Sequence, residues 1–141
     1  MPRKIDDAMR ILQALDMPRA QTNLRSALCL LAICDIKPRT AWKQARAPLL
    51  GITPIMAFAA EHFLEKPYAP NTRETIRRQT MHQFCEAGIT LYNPDDPSRP
   101  VNSPKAVYQI SPEALALMRN FGGPQWQKSL AGFIERRGRL A

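Results

Sequence analysis

The hydrophobic period of this chain changes at Gly88, and that change restricts the possible folds more than any other feature. Upstream, apolar residues recur every three or four positions, as on one face of a helix. Downstream, Ile89, Leu91 and Val107, with Tyr92 and Tyr108 beside them, keep the two-residue period of strands. Gly88 follows Ala87 at the end of the helical pattern, where a residue at ease with positive φ stops a helix. The pattern therefore predicts a helix over 71–87 running into a hairpin with strands over 89–93 and 106–110.

The preceding segments complete the order. Ile5, Ala8, Met9, Leu12 and Leu15 predict an amphipathic helix over 4–16, ended by Pro18. A second helix, N-capped by Thr22 or Asn23 and reaching about Asp35, is apolar on nearly every side and so belongs at the centre of the core. A short helix over 41–46 carries Trp42. Thr53 is the expected cap of a helix over 53–65 with Pro54 as its first residue, placing Ile55, Phe58, Ala59 and Phe63 on one side. Five residues, 66–70, turn the chain into the helix over 71–87, opened by Asn71 or Thr72. Two helices joined by a short turn and followed by a hairpin are the order of a winged helix. The wing loop holds Pro94, Pro97, Pro100 and Pro104, which restrict it without making it regular. Ser111-Pro112-Glu113 opens a helix to about Phe121, and a last basic helix follows from Pro124 through Arg137. The expected fold is mainly α with a small β-hairpin: a winged helix-turn-helix with additional flanking helices, one domain over 1–141.

Composition sets the partner class. A hydrophobic share of 45% is enough for a core, and a formal charge of +8 favours anionic partners, nucleic acid first. Cys29, Cys34 and Cys85 form no C-x-x-C pair, and their odd number points to a reducing, cytoplasmic setting. The apolar run over 27–34 is too short to cross a membrane, and the N-terminal residues carry no export-signal pattern. No membrane partner is expected.

The outward side of the helix over 71–87 carries the residues suited to reading DNA. Ile76, Thr80, Phe84, Ala87 and the stem of Arg73 are expected to face inward. That leaves Asn71, Thr75, Arg78, Gln79 and His82 outward, with Arg77 and Glu86 at the borders. Arg offers guanine two donors, Gln or Asn pairs with adenine, and Thr reaches a phosphate or a thymine methyl. With Thr72 and Arg73 at the helix start, and Arg99, Asn102, Ser103 and Lys105 on the wing for phosphates or a minor groove, these are the candidate double-stranded DNA contacts. The bland account of the helix stripe is a solvated polar face. For the wing, Asp95 and Asp96 argue against uniform phosphate contact and for a loop folded by side-chain bonds to its own backbone.

No catalytic or metal site is expected. Pro94-Asp95 and, further on, Ser103-Pro104-Lys105 imitate a metal-dependent nuclease motif, but Ser103 stands where a second metal-holding carboxylate is needed. His62 and His82 lie on different helices without a ligand cluster, and neither Ser103 nor the cysteines have a recognisable base.

Residues 48–56, the run Tyr68-Ala69-Pro70-Asn71-Thr72-Arg73-Glu74-Thr75-Ile76-Arg77-Arg78-Gln79-Thr80-Met81-His82-Gln83-Phe84, Ala87-Gly88-Ile89, and 91–108 resemble the N-terminal domain of the BsuBI/PstI family of type II restriction endonucleases. The likeness extends more weakly through 21–28 and 121–130. It implies a helix-turn-helix domain attached to a C-terminal nuclease of the P-D…(D/E)-x-K class, which uses magnesium and cuts the palindrome CTGCAG. The sequence stops at Ala141, where the family continues into that nuclease half. The expectation is a DNA-recognition domain without cleavage or a cofactor of its own, with a nuclease domain and a second protomer as further partners. The alternatives are a protein-interaction domain docking on the nuclease half or on a second protomer, and a stand-alone winged-helix regulator.

Overall fold

The computed structural model describes residues 3–18 and 21–140, with side chains to Arg137. Met1 and Pro2, part of the N-terminal run read above for an export signal, lie outside the described residues, as does Ala141. α1 (Arg3–Ala14) buries Ile5, Ala8, Ile11 and Leu12 against α2 (Leu24–Ile33). Asn23 caps α2, its side-chain oxygen accepting from the Ser26 N–H at 2.8 Å. All of α2 from Ser26 to Ile33 is buried, and it touches α1, the helix over 52–62, the helix over 72–86 and the hairpin, which makes it the centre of the core.

α1 and α2 end in the same way without glycine. Asp16 and Asp35 take positive φ of 57° and 54°. Met17 N–H then bonds Leu12 O at 3.2 Å, and Ile36 N–H bonds Leu31 O at 2.9 Å. Each bond satisfies an orphan carbonyl and turns an apolar residue back onto the helix.

Between α2 and the next helix, the short helix expected over 41–46 is a single 3₁₀ turn, Trp42–Gln44. The buried Trp42 indole donates from Nε1 to Asp7 Oδ2 at 3.0 Å. The chain then makes a contact with no sequence signal. Leu50 pairs with Tyr108 as a one-residue antiparallel bridge, with bonds of 3.0 and 2.8 Å, adding a third strip to the hairpin.

α3 (Ile52–His62) leaves directly from that bridge, so Gly51 rather than Thr53 occupies the N-cap, and Pro54 falls within the first turn rather than at its start. Pro54 is tolerated there because first-turn N–H groups lack intrahelical partners anyway. A Cβ on Gly51 would lie 3.2 Å from Ala106 O, so the small residue lets this cap approach the wing. α3 ends at His62, short of the expected Glu65, because Leu64 folds back to donate to Ala59 O at 2.9 Å. The turn to the next helix is correspondingly longer.

Residues 72–86 run on as one helix: α4 (Thr72–Ile76), a π-helical turn (Arg77–Met81) and α5 (His82–Glu86). Gly88, at φ 77°, ends it, and Ile89 N–H reaches back to Phe84 O at 2.9 Å. β1 (Thr90–Tyr92) and β2 (Tyr108–Ile110) pair antiparallel with Thr90 opposite Ile110 and Tyr92 opposite Tyr108. They are shorter than expected, since Ile89 belongs to the helix stop and Asn93 turns off at φ 52°. α6 (Pro112–Arg119) is capped by Ser111, which accepts from the Ala114 N–H and donates to Gly88 O, tying this helix to the end of the helix over 72–86. α7 (Trp126–Leu140) packs on α6. Among the described residues no helix is long and apolar enough to cross a membrane.

Candidate nucleic-acid interface

The helix over 72–86 is anchored on one side. Ile76, Thr80, Met81 and Phe84 are buried, and Arg25 on α2 donates from Nε to the Thr80 hydroxyl at 3.0 Å. Met81 was absent from the inward set expected at 100° per residue. The π turn, in which His82 N–H bonds Arg77 O, inserts an extra residue and brings Thr80 and Met81 inward together. The Arg73 side, expected to lean inward, is instead exposed, and Ala87 is only half-buried.

On the other side Asn71, Arg73, Glu74, Arg78, Gln79 and His82 are exposed, with Thr72, Thr75 and Arg77 partly so. Asn71 stands at the helix start without a side-chain cap bond, in contrast to the capping role open to it from sequence. His82 lies 3.4 Å from Glu86 one turn on. Glu74, absent from the candidates, organises the first half of this face. Its Oε1 accepts from Arg77 Nη2 and, at 2.9 Å, from Arg78 Nε. Those bonds hold the Glu74 carboxyl below the usual range, the bond from Arg77 contributing most. The signal was present as Glu-x-x-Arg-Arg, spaced for ion pairs at i+3 and i+4.

The wing loop folds around its own side chains. Buried Asn93 accepts at Oδ1 from the Val107 N–H and from Arg99 Nη1, both at 2.9 Å. Arg99 also grips Asp95 with both terminal nitrogens, at 3.1 and 2.9 Å, and its side chain is only 15% exposed. The pairing pushes the Arg99 guanidinium up and the Asp95 carboxyl down. Asp96 accepts from Ser98 N–H and Oγ, the side-chain-to-backbone turn that its place in the loop suggested. Ser103 Oγ accepts from the Lys105 N–H at 3.1 Å. Lys105 is exposed, and its ammonium has no ion-pair partner among the described residues. No group of three or more His, Cys, Asp or Glu among the described residues could hold a metal ion.

A side-chain bond joins the helix to the wing loop. Arg77 Nη1 donates to Asn102 Oδ1, and Asn102 itself takes a positive φ of 65°. This contact divides two grooves. One, about 470 Å³, is lined by Arg77, Arg78, His82, Tyr92, Val101 and Asn102. The other, about 510 Å³, has Asn71, Arg73, Glu74 and Ser103 on its walls. Of the candidate residues, Asn71, Arg73, Arg77, Arg78, His82, Asn102 and Ser103 line these grooves, whereas Arg99 is turned into the loop.

The family model for the BsuBI/PstI restriction endonuclease HTH domain matches residues 2–141. The type II restriction enzyme BsuBI of Bacillus subtilis is 50% identical over 137 residues, 97% of this chain and 43% of that enzyme. The type II restriction enzyme AplI of Arthrospira platensis is 36% identical over 128 residues, 91% of this chain and 39% of that enzyme. Among solved structures, the SdaI restriction endonuclease superposes with a TM-score of 0.87 at 30% identity, over 96% of this chain and 44% of that one. The chain therefore spans less than half the length of the relatives it matches. With a match over nearly its whole length, it belongs to the BsuBI/PstI restriction endonuclease HTH domain family.

Proposed function

We propose that this domain binds double-stranded DNA, laying the helix over 72–86 in the major groove with the wing loop beside it. One observation carries this reading. Arg78, Gln79 and His82 stand exposed along a helix whose opposite side is fixed in the core by Ile76, Thr80 and Phe84. A rigid helix with two-pronged donors and amide groups on its free face suits base edges. Lys105 on the wing adds a phosphate contact, and the net charge of +8 draws the duplex in. The relatives are named as restriction enzymes, and the larger activity proposed for the whole protein is restriction of DNA, in the cytoplasm. Magnesium and phosphodiester cleavage belong to a nuclease half beyond these residues, and a palindromic target such as CTGCAG calls for a second protomer.

Selection of bound duplexes from a random library identifies the preferred site. Arg78→Ala and Gln79→Ala then lose preference for that site over random duplex, by roughly 1–3 kcal/mol for each bidentate contact. Circular dichroism confirms that each variant is folded. A wild-type domain that binds no duplex at low salt overturns the proposal and points to docking on another protein. An unchanged preference in both variants removes this helix as the reading element.

A further inference from the structure

Glu74 is an anomaly on a surface meant for DNA, because a carboxylate repels phosphates. It is 53% exposed and sits in the first turns of the helix over 72–86, where it is paired with two guanidiniums. Those two guanidiniums are engaged differently. Arg77, 27% exposed, gives Nη2 to Glu74 and Nη1 to Asn102, so both of its terminal nitrogens are tied within the protein. Arg78, 74% exposed, gives Glu74 only Nε. Its two terminal nitrogens have no protein partner among the described residues and remain available as a pair. Two parallel donors are what guanine O6 and N7 accept. A chain of side chains, Asn102 to Arg77 to Glu74 to Arg78, therefore runs from the wing across the helix and ends in a free two-pronged donor.

We propose that Glu74 is a specificity-determining positioning residue, which fixes Arg78 for base reading and Arg77 for bracing the wing, and so restrains both from gripping phosphates indiscriminately. This rests on the duplex-binding reading above. Without the carboxylate, two adjacent cations on flexible stems swing toward any phosphate, adding sequence-independent affinity and removing geometry. Glu74 thereby weakens binding to arbitrary DNA in exchange for discrimination.

The test uses the full chain, the preferred duplex obtained by selection and a random duplex, with affinities measured by fluorescence anisotropy over a range of salt. Glu74→Ala should strengthen binding to random duplex by up to roughly tenfold, about the worth of one added phosphate contact, and steepen the salt dependence. Its ratio of preferred to random affinity should fall. Glu74→Gln, which keeps an acceptor for both guanidiniums without the charge, should gain random-duplex affinity while retaining more of the ratio. In an Arg78→Ala background the effect of Glu74→Ala on the ratio should largely vanish. An unchanged ratio in Glu74→Ala, or an undiminished effect without Arg78, overturns the inference while leaving duplex binding intact. A wild type that fails to bind duplex at low salt overturns the underlying reading instead.

Discussion

Arg99 Nη1 donates to the buried Oδ1 of Asn93, 2.9 Å away and six residues back along the wing loop. The same oxygen accepts from Val107 N–H, so one amide oxygen joins both ends of the loop, and the clasp by Asp95 holds Arg99 on it. The wing is thus shaped by its own polar side chains and not by its prolines alone.

If that bond network holds the loop, Arg99→Ala should make residues 94–106 more sensitive to limited proteolysis and speed their amide exchange. Arg99→Lys should not restore protection, since an ammonium lacks the planar fork that spans Asp95 and Asn93. A loop that stays protected in Arg99→Ala, with a flatter salt slope for DNA, would show that Arg99 meets phosphate instead.

Lys105 is the wing cation suited to phosphate, being exposed and without an ion-pair partner among the described residues. Lys105→Ala should weaken preferred and random duplexes equally and reduce the salt slope by about 0.9, the signature of one lost phosphate contact. A selective loss for the preferred site would assign Lys105 to base reading.

In the core, the Trp42 indole and Asp7 are buried together. Asp7→Ala leaves the indole N–H without its acceptor, which costs about 1–3 kcal/mol by urea denaturation. Asp7→Asn, presenting its amide oxygen, should recover part of that. Equal losses in both variants would mean that packing around Asp7, not its bond to Trp42, matters.

Burial pushes the Cys29 thiol from its ordinary 9.0 up to about 12, against a smaller lowering by Arg25. The folded state thus keeps its proton at a pH where the unfolded chain has lost it. The resulting stability is fully present below pH 9 and is lost as pH rises toward about 12. Burial shifts Cys34 in the same direction. The unfolding free energy from urea titrations should therefore fall from pH 9 upward, with a slope approaching about 1.4 kcal/mol per pH unit for each such thiol. Cys29→Ala, though less stable, should show a shallower decline. An equally steep decline would assign the alkaline loss to other groups.

Local physics made part of this domain legible in the residue order. The Ile76, Thr80 and Phe84 stripe, the stop at Gly88, the caps Asn23 and Ser111, and the winged-helix order follow from helical period, backbone sterics and side-chain bonds within a few residues. The exposure of Arg78, Gln79 and His82 follows from that same period. Tertiary structure decided the contacts that bridge long separations or choose among competing partners. Leu50 pairs with Tyr108 through a single residue, too short to leave an alternating run. The burial of Met81 comes from a π turn, which breaks the 100° step on which face assignment depends. Arg99 had a phosphate and an aspartate equally open to it by residue type, and the turn at Asn93 brought the protein's own acceptors first. Arg77 reaches Asn102 only because the hairpin returns the wing to the helix, a proximity created by closure of the chain rather than by its order.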